Sequence, residues 1–160
     1  PGKVAVIPTP IYHDGHVFVT AGYSVGCRMF KLGGATPELV YENTSLVNHH
    51  GGVILVKGKL FGHSDKGGWT GDTVWQDKSF GKGAVGYVAG HLICVDESNG
   101  NVALVEASEK GWNEKSRFTL EPQTKLRKPQ GRIWTHPVIL DGRLFLRDQD
   151  LIYCFDVKGK

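Results

Sequence analysis

Apolar residues occur along this chain in short runs of about four to seven, separated by clusters of glycine, aspartate and asparagine. The runs are rich in valine, isoleucine, leucine, phenylalanine and tyrosine, which favour strands. Apolar positions repeating at the period of an amphipathic helix are almost absent. The pattern therefore predicts an all-β protein.

Four of the apolar runs share a longer pattern that centres on a glycine. Each reads as a strand, a two-residue turn that ends in glycine, and a second strand. The four segments are residues 10–19, 53–62, 85–94 and 137–146, with turn glycines at Gly15, Gly58, Gly90 and Gly142. A tight turn of this kind needs positive φ angles, which gives the glycine a backbone reason to recur. We therefore predict four β-hairpins.

The spacing of the hairpins predicts the architecture. A repeat of about 42 residues with several strands per unit is typical of a β-propeller, in which each blade is a four-stranded antiparallel sheet. Further strands are predicted at residues 26–32, 39–42, 73–77, 102–107, 115–120 and 151–157. The predicted blades are residues 8–43, 48–80, 82–121 and an incomplete 133–160, all within one segment, residues 1–160. We expect roughly half of a seven- or eight-bladed ring, or an arc that closes by oligomerising.

The second predicted blade is shorter than the others. Only residues 70–72 separate Trp69 from the predicted outer strand, where the other units have a strand and a turn. Either this blade lacks a strand, or residues are missing from the sequence between Thr70 and Gly71. A continuous peptide map from Trp69 to Trp75 at the stated mass would exclude the second alternative.

Composition and charge narrow the class of protein. The chain of 160 residues has 19 basic and 16 acidic residues, a net charge of +3 that we take as spread along the sequence. The longest basic cluster, residues 125–128, is too short for a nucleic-acid footprint, so we expect no nucleic-acid partner. No apolar run reaches the roughly 20 residues that span a bilayer. The three cysteines form no closely spaced pair and lie in apolar runs, so we predict buried free thiols.

Several motifs point to a family. The sequence TGDTVW at residues 70–75 ends in Trp75, and the Asp-Gly and Leu-Phe pairs recur in the hairpins. The sequence NHHGGV occupies residues 48–53, and HSD follows at residues 63–65. Together these motifs resemble the quinoprotein-like propellers, which include dehydrogenases that use pyrroloquinoline quinone (PQQ). The second pair of motifs is similar to secreted members from environmental bacteria. The resemblance implies a PQQ-like propeller that is periplasmic or secreted, with Trp75 docked between blades.

The resemblance does not supply a catalytic set. Catalytic members of the family carry adjacent cysteines over the quinone and bind calcium with a Glu, Asn and Asp set. Cys27, Cys94 and Cys154 are far apart in this sequence, and the calcium ligands have no matching positions. No catalytic residue is carried over, and PQQ with calcium stays open as a cofactor whose ligands would lie outside this segment.

A candidate site follows from the predicted blades. The first strand of a propeller blade faces the central channel, so the residues before it line one mouth of that channel. These residues include His49, His50, Trp134 and His136. Histidines can bind a transition metal through neutral imidazole, transfer protons or contact an organic ligand, and Trp134 offers a flat surface to a planar ligand. The spacing matches no metal motif, so we assign no metal ligand, and loss of metal retention on replacing His49 and His136 with alanine would test the metal alternative.

The alternative interpretation of the same residues is structural. The histidines would hydrogen-bond the loops between blades, and the adjoining glycines at positions 51 and 52 would permit a tight backbone path. A serine-hydrolase triad from His63, Ser64 and Asp65 is not favoured, since the three are consecutive and lack the nucleophile-elbow motif.

The favoured function is a ligand-binding or protein-interaction scaffold in the bacterial cell envelope. An unidentified protein or small molecule would bind at the channel mouth. The alternative is a PQQ-dependent oxidoreductase that acts on an alcohol or sugar. We also expect this segment to pair with the rest of a propeller or with a second copy of itself.

Overall fold

The computed structural model describes residues 6–65, 69–70 and 75–158, with residues 69 and 70 described by their backbone alone. Within these ranges the secondary structure is all β, as predicted, and no helix has the length and apolar character to cross a membrane. The strands are β1 (Ile11–His13), β2 (His16–Ala21), β3 (Gly26–Lys31), β4 (Glu38–Asn43), β5 (Val53–Val56), β6 (Lys59–His63), β7 (Trp69–Thr70), β8 (Gln76–Asp77), β9 (Gly83–Val88), β10 (His91–Asp96), β11 (Asn101–Glu106), β12 (Glu114–Thr119), β13 (Val138–Leu140), β14 (Arg143–Asp148) and β15 (Leu151–Asp156).

The strands form four antiparallel sheets, and each sheet uses strands that are consecutive in the sequence. Sheet 1 contains β1 to β4, sheet 2 contains β5 to β8, sheet 3 contains β9 to β12, and sheet 4 contains β13 to β15. Each sheet is therefore a meander in which sequence neighbours are also spatial neighbours. The strands predicted in sheets 1, 3 and 4 after each hairpin match the observed ones to within one residue at each end.

The four predicted hairpins are confirmed together with their turns. Both turn residues have positive φ in every case, for example 44° and 71° at Asp14 and Gly15, and 45° and 83° at Ala89 and Gly90. Two consecutive positive φ angles define the type I′ turn, whose twist suits a two-residue hairpin. The glycine recurs because this conformation strains any residue that has a Cβ atom.

Sheet 2 has four strands, so the alternative in which this unit lacks a strand is wrong. Its outer strands, β7 and β8, are only two residues long. The predicted strand at residues 73–77 is reduced to Gln76–Asp77 among the described residues. The predicted break between Thr70 and Gly71 borders residues 71–74, which lie outside the described part of the chain.

Successive sheets pack face to face through three apolar clusters. Phe18 and Cys27 of sheet 1 pack near Leu60 of sheet 2, and Phe61 faces the other way, toward sheet 3. Sheet 3 is covered on both faces because alternate residues of a strand point to opposite sides. Leu92 packs toward sheet 2, and its neighbour Ile93 packs toward sheet 4.

The first strands of the four sheets are neighbours in order. β1 contacts β5, β5 contacts β9, and β9 contacts β13. The loops that enter these first strands therefore meet at one end of the array. Trp75 lies between sheets 2 and 3, as predicted, where its indole Nε1 donates a 2.9 Å hydrogen bond to the Ser108 carbonyl.

The cysteine prediction is wrong in part. No disulfide joins the three described cysteines, and Cys27 and Cys94 are buried as predicted. Cys154 is exposed because it lies on the face of sheet 4 that no other described sheet covers. The apolar flanks of a cysteine indicate a strand, but they do not say which face of the strand is covered.

Candidate functional site

The loops that enter the first strands are joined by backbone hydrogen bonds. The Val85 amide donates to the Gly51 carbonyl at 3.0 Å, which links the entries of β9 and β5. The Glu97 amide donates to the Lys82 carbonyl at 2.8 Å, and the Ile133 amide donates to the Glu97 carbonyl at 2.8 Å. These bonds bring residues that are far apart in the sequence to one end of the array.

Asn48 fixes the loop that carries the two adjacent histidines. Its side chain is buried, and its Nδ2 donates to the carbonyls of Gly52 at 3.1 Å and His63 at 2.9 Å. Its Oδ1 accepts from the Gly52 amide at 3.1 Å. Three hydrogen bonds from one amide hold both sides of the loop, so the positions of His49 and His50 are set by a buried polar group.

The structure brings together the four site residues predicted from the sequence. We call His49, His50, Trp134 and His136 the histidine cluster. The ring centroids of His49 and His50 are 4.6 Å apart, and those of His50 and Trp134 are 5.0 Å apart. The His136 Nε2 lies 2.8 Å from the His50 carbonyl oxygen. Tyr23 extends the row, with its ring 4.6 Å from that of His49.

The adjoining glycines allow this close approach. A Cβ atom on Gly51 would lie 2.0 Å from the Gly83 carbonyl oxygen, which is far inside contact distance. Gly52 has a φ of 76°, and a Cβ atom there would lie 2.6 Å from the His136 ring. Gly51, Gly52 and the hydrogen bond of His136 therefore have structural roles in the packing of the loops, independent of any ligand.

Charged side chains lie directly beside the histidine cluster. Lys82 Nζ is 2.9 Å from Asp65 Oδ1, and His50 Nε2 is 3.5 Å from Glu97 Oε2. Glu97 is only 8% exposed, and the Trp134 side chain interacts with its carboxyl group and acts to lower its pKa. Its Oε2 nevertheless accepts no well-formed hydrogen bond, since His50 Nε2 remains 3.5 Å away. Buried polar atoms are nearly always hydrogen-bonded, so this oxygen calls for an explanation.

Burial changes the protonation of this group of residues. It lowers the pKa of His50 to about 4, with Lys82 and His49 adding repulsion, and it lowers the pKa of His63 to about 4. Burial also raises the pKa of Glu97, against the opposing effect of Lys82. At neutral pH both of these histidines are therefore uncharged, and each can donate or accept a hydrogen bond.

Glu97 is the site residue that the sequence analysis missed. Asp65 and Glu97 each stand seven residues after the turn glycine of their hairpin, Gly58 and Gly90. The hairpin alignment therefore placed these two carboxyl groups at equivalent positions in neighbouring sheets. Extending that alignment beyond the second strand would have found Glu97.

Ser64 has a structural role, because its hydroxyl is buried rather than open to a substrate. It is fully buried, and its Oγ accepts a 3.1 Å hydrogen bond from the Val47 amide. The Asp65 carboxylate partly offsets the lowering of the His63 pKa, while the buried Ser64 hydroxyl contacts the Val47 backbone.

A small cavity adjoins the histidine cluster. Its volume is about 170 Å³, and its lining includes Thr9, His50, Gly52, Val85 and His136. Within the described ranges, no group of three or more histidine, cysteine, aspartate or glutamate side chains is arranged to hold a metal ion. The arrangement suits hydrogen bonding and ring stacking with a small molecule.

Comparisons with known proteins do not assign the chain to a family. No protein-family model matches the sequence, and no curated protein matches it significantly. The family resemblance therefore rests on the motifs of the sequence alone.

Proposed function

We propose that this chain is a segment of a PQQ-like β-propeller that serves as a ligand-binding scaffold in the bacterial cell envelope. Three observations support the architecture: four successive meander sheets, face-to-face packing of each sheet on the next, and first strands that are neighbours in order. The location follows from the motif resemblance. The ligand site of the proposal is the histidine cluster with Glu97.

One observation carries the binding proposal. Glu97 Oε2 is buried without a well-formed hydrogen bond, although it lies beside His50 and Trp134. A buried acceptor without a good donor is costly, by about 1–3 kcal/mol, unless a ligand supplies the donor. A ligand N–H or O–H group at this oxygen would remove that cost.

The surroundings restrict the class of ligand. Trp134 is 55% exposed and offers a ring face for stacking. Asp65 and Glu97 bring two acidic groups, and Lys82 and Arg132 lie close enough to Glu97 to lower its pKa. With these opposite charges balanced, the site favours an uncharged ligand that is small, planar and able to donate hydrogen bonds.

The residues of the histidine cluster do not fit PQQ with calcium. PQQ carries three carboxylates, and the poorly satisfied Glu97 oxygen would repel them. Calcium in proteins binds six to eight oxygen ligands, whereas the histidine cluster offers mainly imidazole nitrogens. A 170 Å³ cavity is also smaller than the roughly 300 Å³ at which ordinary ligand pockets begin.

Native mass spectrometry and calorimetric titration test the proposal together. The mass spectrum of the purified protein reports any retained small molecule and the number of chains in the assembly. The titration uses catechol, nicotinamide and adenine as planar donors, with PQQ plus calcium as the competing candidate. We expect at least one planar donor to bind. Trp134→Ala removes the stacking ring and Glu97→Leu removes the acceptor, so each should weaken binding about tenfold.

The control is His13→Ala, which changes an exposed histidine of sheet 1. It should leave the affinity unchanged. The proposal fails if no planar donor binds and no small molecule is retained, or if a ligand binds equally well to all three variants. Binding of PQQ with calcium that depends on Trp134 would instead support the oxidoreductase alternative.

A further inference from the structure

The connection between sheets 3 and 4 differs from every other connection in the described chain. It runs from Leu120 to Pro137 without a strand. Loops longer than about 12–15 residues are uncommon in compact domains and are usually functional when they are ordered. We call residues 121–135 the basic loop.

The basic loop is fixed to the sheets at several points. Arg127 forms an ion pair with Asp148, which is completely buried, and its Nη1 donates to the Ser98 carbonyl at 3.1 Å. The Tyr153 hydroxyl donates to the Pro122 carbonyl at 2.6 Å. A loop held to both neighbouring sheets presents its outward side chains in a defined arrangement.

A tight turn shapes the outer part of the loop. The Gly131 amide donates to the Lys128 carbonyl at 2.7 Å and closes a four-residue turn with Pro129 in its second position. Proline in the second position and glycine in the fourth are both favoured in type I turns. A Cβ atom on Gly131 would lie 2.8 Å from the Arg127 side chain, so the turn also packs against the buried ion pair.

Two large apolar side chains are exposed on this surface. Leu126 is 67% exposed and Trp134 is 55% exposed, and both line a shallow groove of about 470 Å³ together with Lys128, Gln130 and Arg132. Exposed apolar side chains next to cations are complementary to a partner that presents an apolar side chain flanked by acidic residues.

The charge of the chain is concentrated in this loop. Residues 121–135 contain four basic residues and one acidic residue, a net +3, which equals the net charge of the whole chain. The remaining residues are therefore balanced, and the expectation that the surplus is spread along the sequence is wrong. Since Arg127 is neutralised by Asp148, three cations remain. Lys125 and Lys128 are exposed, whereas Arg132 is half-buried and its Nη1 donates to the Gly131 carbonyl at 2.9 Å.

We propose that the basic loop is a docking surface for an acidic protein segment that carries an apolar side chain. The cations would attract the acidic residues, and the groove between Leu126 and Trp134 would take the apolar side chain. Nucleic acid is disfavoured because three cations are too few, since proteins that bind DNA commonly neutralise about six to ten phosphates.

Fluorescence anisotropy tests the proposal. The probe is a fluorescein-labelled peptide of about twelve aspartate, glutamate and serine residues around a central leucine. We expect salt-sensitive binding that weakens at least about tenfold in the double variant of the two exposed lysines, Lys125→Glu, Lys128→Glu. Leu126→Ala should weaken it about threefold, and a peptide with serine in place of leucine should bind less tightly.

The matched control is the Lys31→Glu, Lys110→Glu double variant, which makes the same charge change at exposed positions away from the loop. It should change the affinity less than about twofold. Failure of the leucine peptide to bind overturns the proposal, as does equal weakening by both double variants. Tighter binding of a single-stranded DNA of similar length would replace the proposal with a nucleic-acid site. None of these variants changes Glu97, Trp134 or Arg132, so a loss of peptide binding can be told apart from a loss of ligand binding at the histidine cluster.

Discussion

Sheet 3 and the loops that carry the histidine cluster are held by different kinds of interaction. In sheet 3, β10 and β11 alternate between two apolar faces, and Leu92 and Ile93 each find a neighbouring sheet. In the histidine cluster, buried side chains are polar, and Asn48 alone makes three hydrogen bonds to loop backbone. The first region is stabilised by apolar contact and the second by hydrogen bonds with fixed directions.

The difference shows where this fold tolerates an unfavourable group. Sheet 3 has well-packed apolar faces, whereas Glu97 Oε2, beside the histidine cluster, is buried without a well-formed hydrogen bond. Residues that reduce stability while serving recognition are expected at binding sites rather than in the core. Single substitutions should therefore affect the two regions differently.

Leu92→Ala should have the largest effect. Leu92 is 1% exposed and packs in the cluster between sheets 2 and 3, so truncation leaves a cavity that the neighbouring strands cannot close. We expect the free energy of unfolding to fall by about 3 kcal/mol, measured by urea denaturation.

The matched control for this substitution is Ile152→Ala in sheet 4. Ile152 is an apolar strand residue of equal size, but it is 72% exposed. Its truncation should change the free energy of unfolding by less than about 0.5 kcal/mol. A similar loss from both substitutions would mean that the outer face of sheet 4 is covered in solution.

Asn48→Ala should have a smaller effect, of about 2 kcal/mol, because it leaves buried backbone groups of Gly52 and His63 without partners. Urea denaturation measures the loss, and the histidine resonances in NMR spectra should shift as the loop relaxes. Asn113→Ala is the control, since the Asn113 side chain makes one exposed hydrogen bond to Glu106. Equal effects of the two substitutions would contradict a special role for Asn48.

The sequence predicts the strands and hairpins of this protein better than it predicts which sheet faces are buried. Hairpin turns depend on local backbone geometry, so the four Gly-centred segments locate β1 and β2 and their counterparts correctly. The coverage of a face depends on which sheet packs against it, which no local pattern encodes. Cys154 shows the limit, because its apolar neighbours indicate a strand but its side chain is exposed.

The proximity of the four predicted site residues follows from the repeat. His49, His50, Trp134 and His136 precede first strands, and the repeat brings the starts of first strands together. The poorly satisfied oxygen of Glu97 could not be predicted from the sequence, because it depends on burial and on distances of a few ångströms. The positive charge of the basic loop, in contrast, can be read directly from the basic and acidic residues in the sequence.

Glu97→Gln should have the smallest effect, and it should be stabilising. Burial raises the pKa of Glu97, so the folded state binds a proton more tightly than the unfolded state does. The stability that comes from protonation is complete below the unfolded pKa of about 4.5, and it is lost as the pH rises through the folded pKa. Glutamine resembles the protonated acid at every pH, so the variant should be more stable by about 1 kcal/mol at pH 8.

The pH profile distinguishes this cause from a general effect of removing a charge. Near pH 4 the variant and the parent protein should be about equally stable, since Glu97 is then protonated in both the folded and the unfolded state. Both proteins should lose stability as the pH falls from 6.5 toward 4, because the lowered pKa values of His50 and His63 make their charging unfavourable in the folded state. Glu109→Gln, at an exposed position, should show no difference that grows with pH. A Glu97→Gln variant less stable than its parent at pH 8 would mean that the carboxylate is favourable where it lies, and that no ligand donor is needed to explain it.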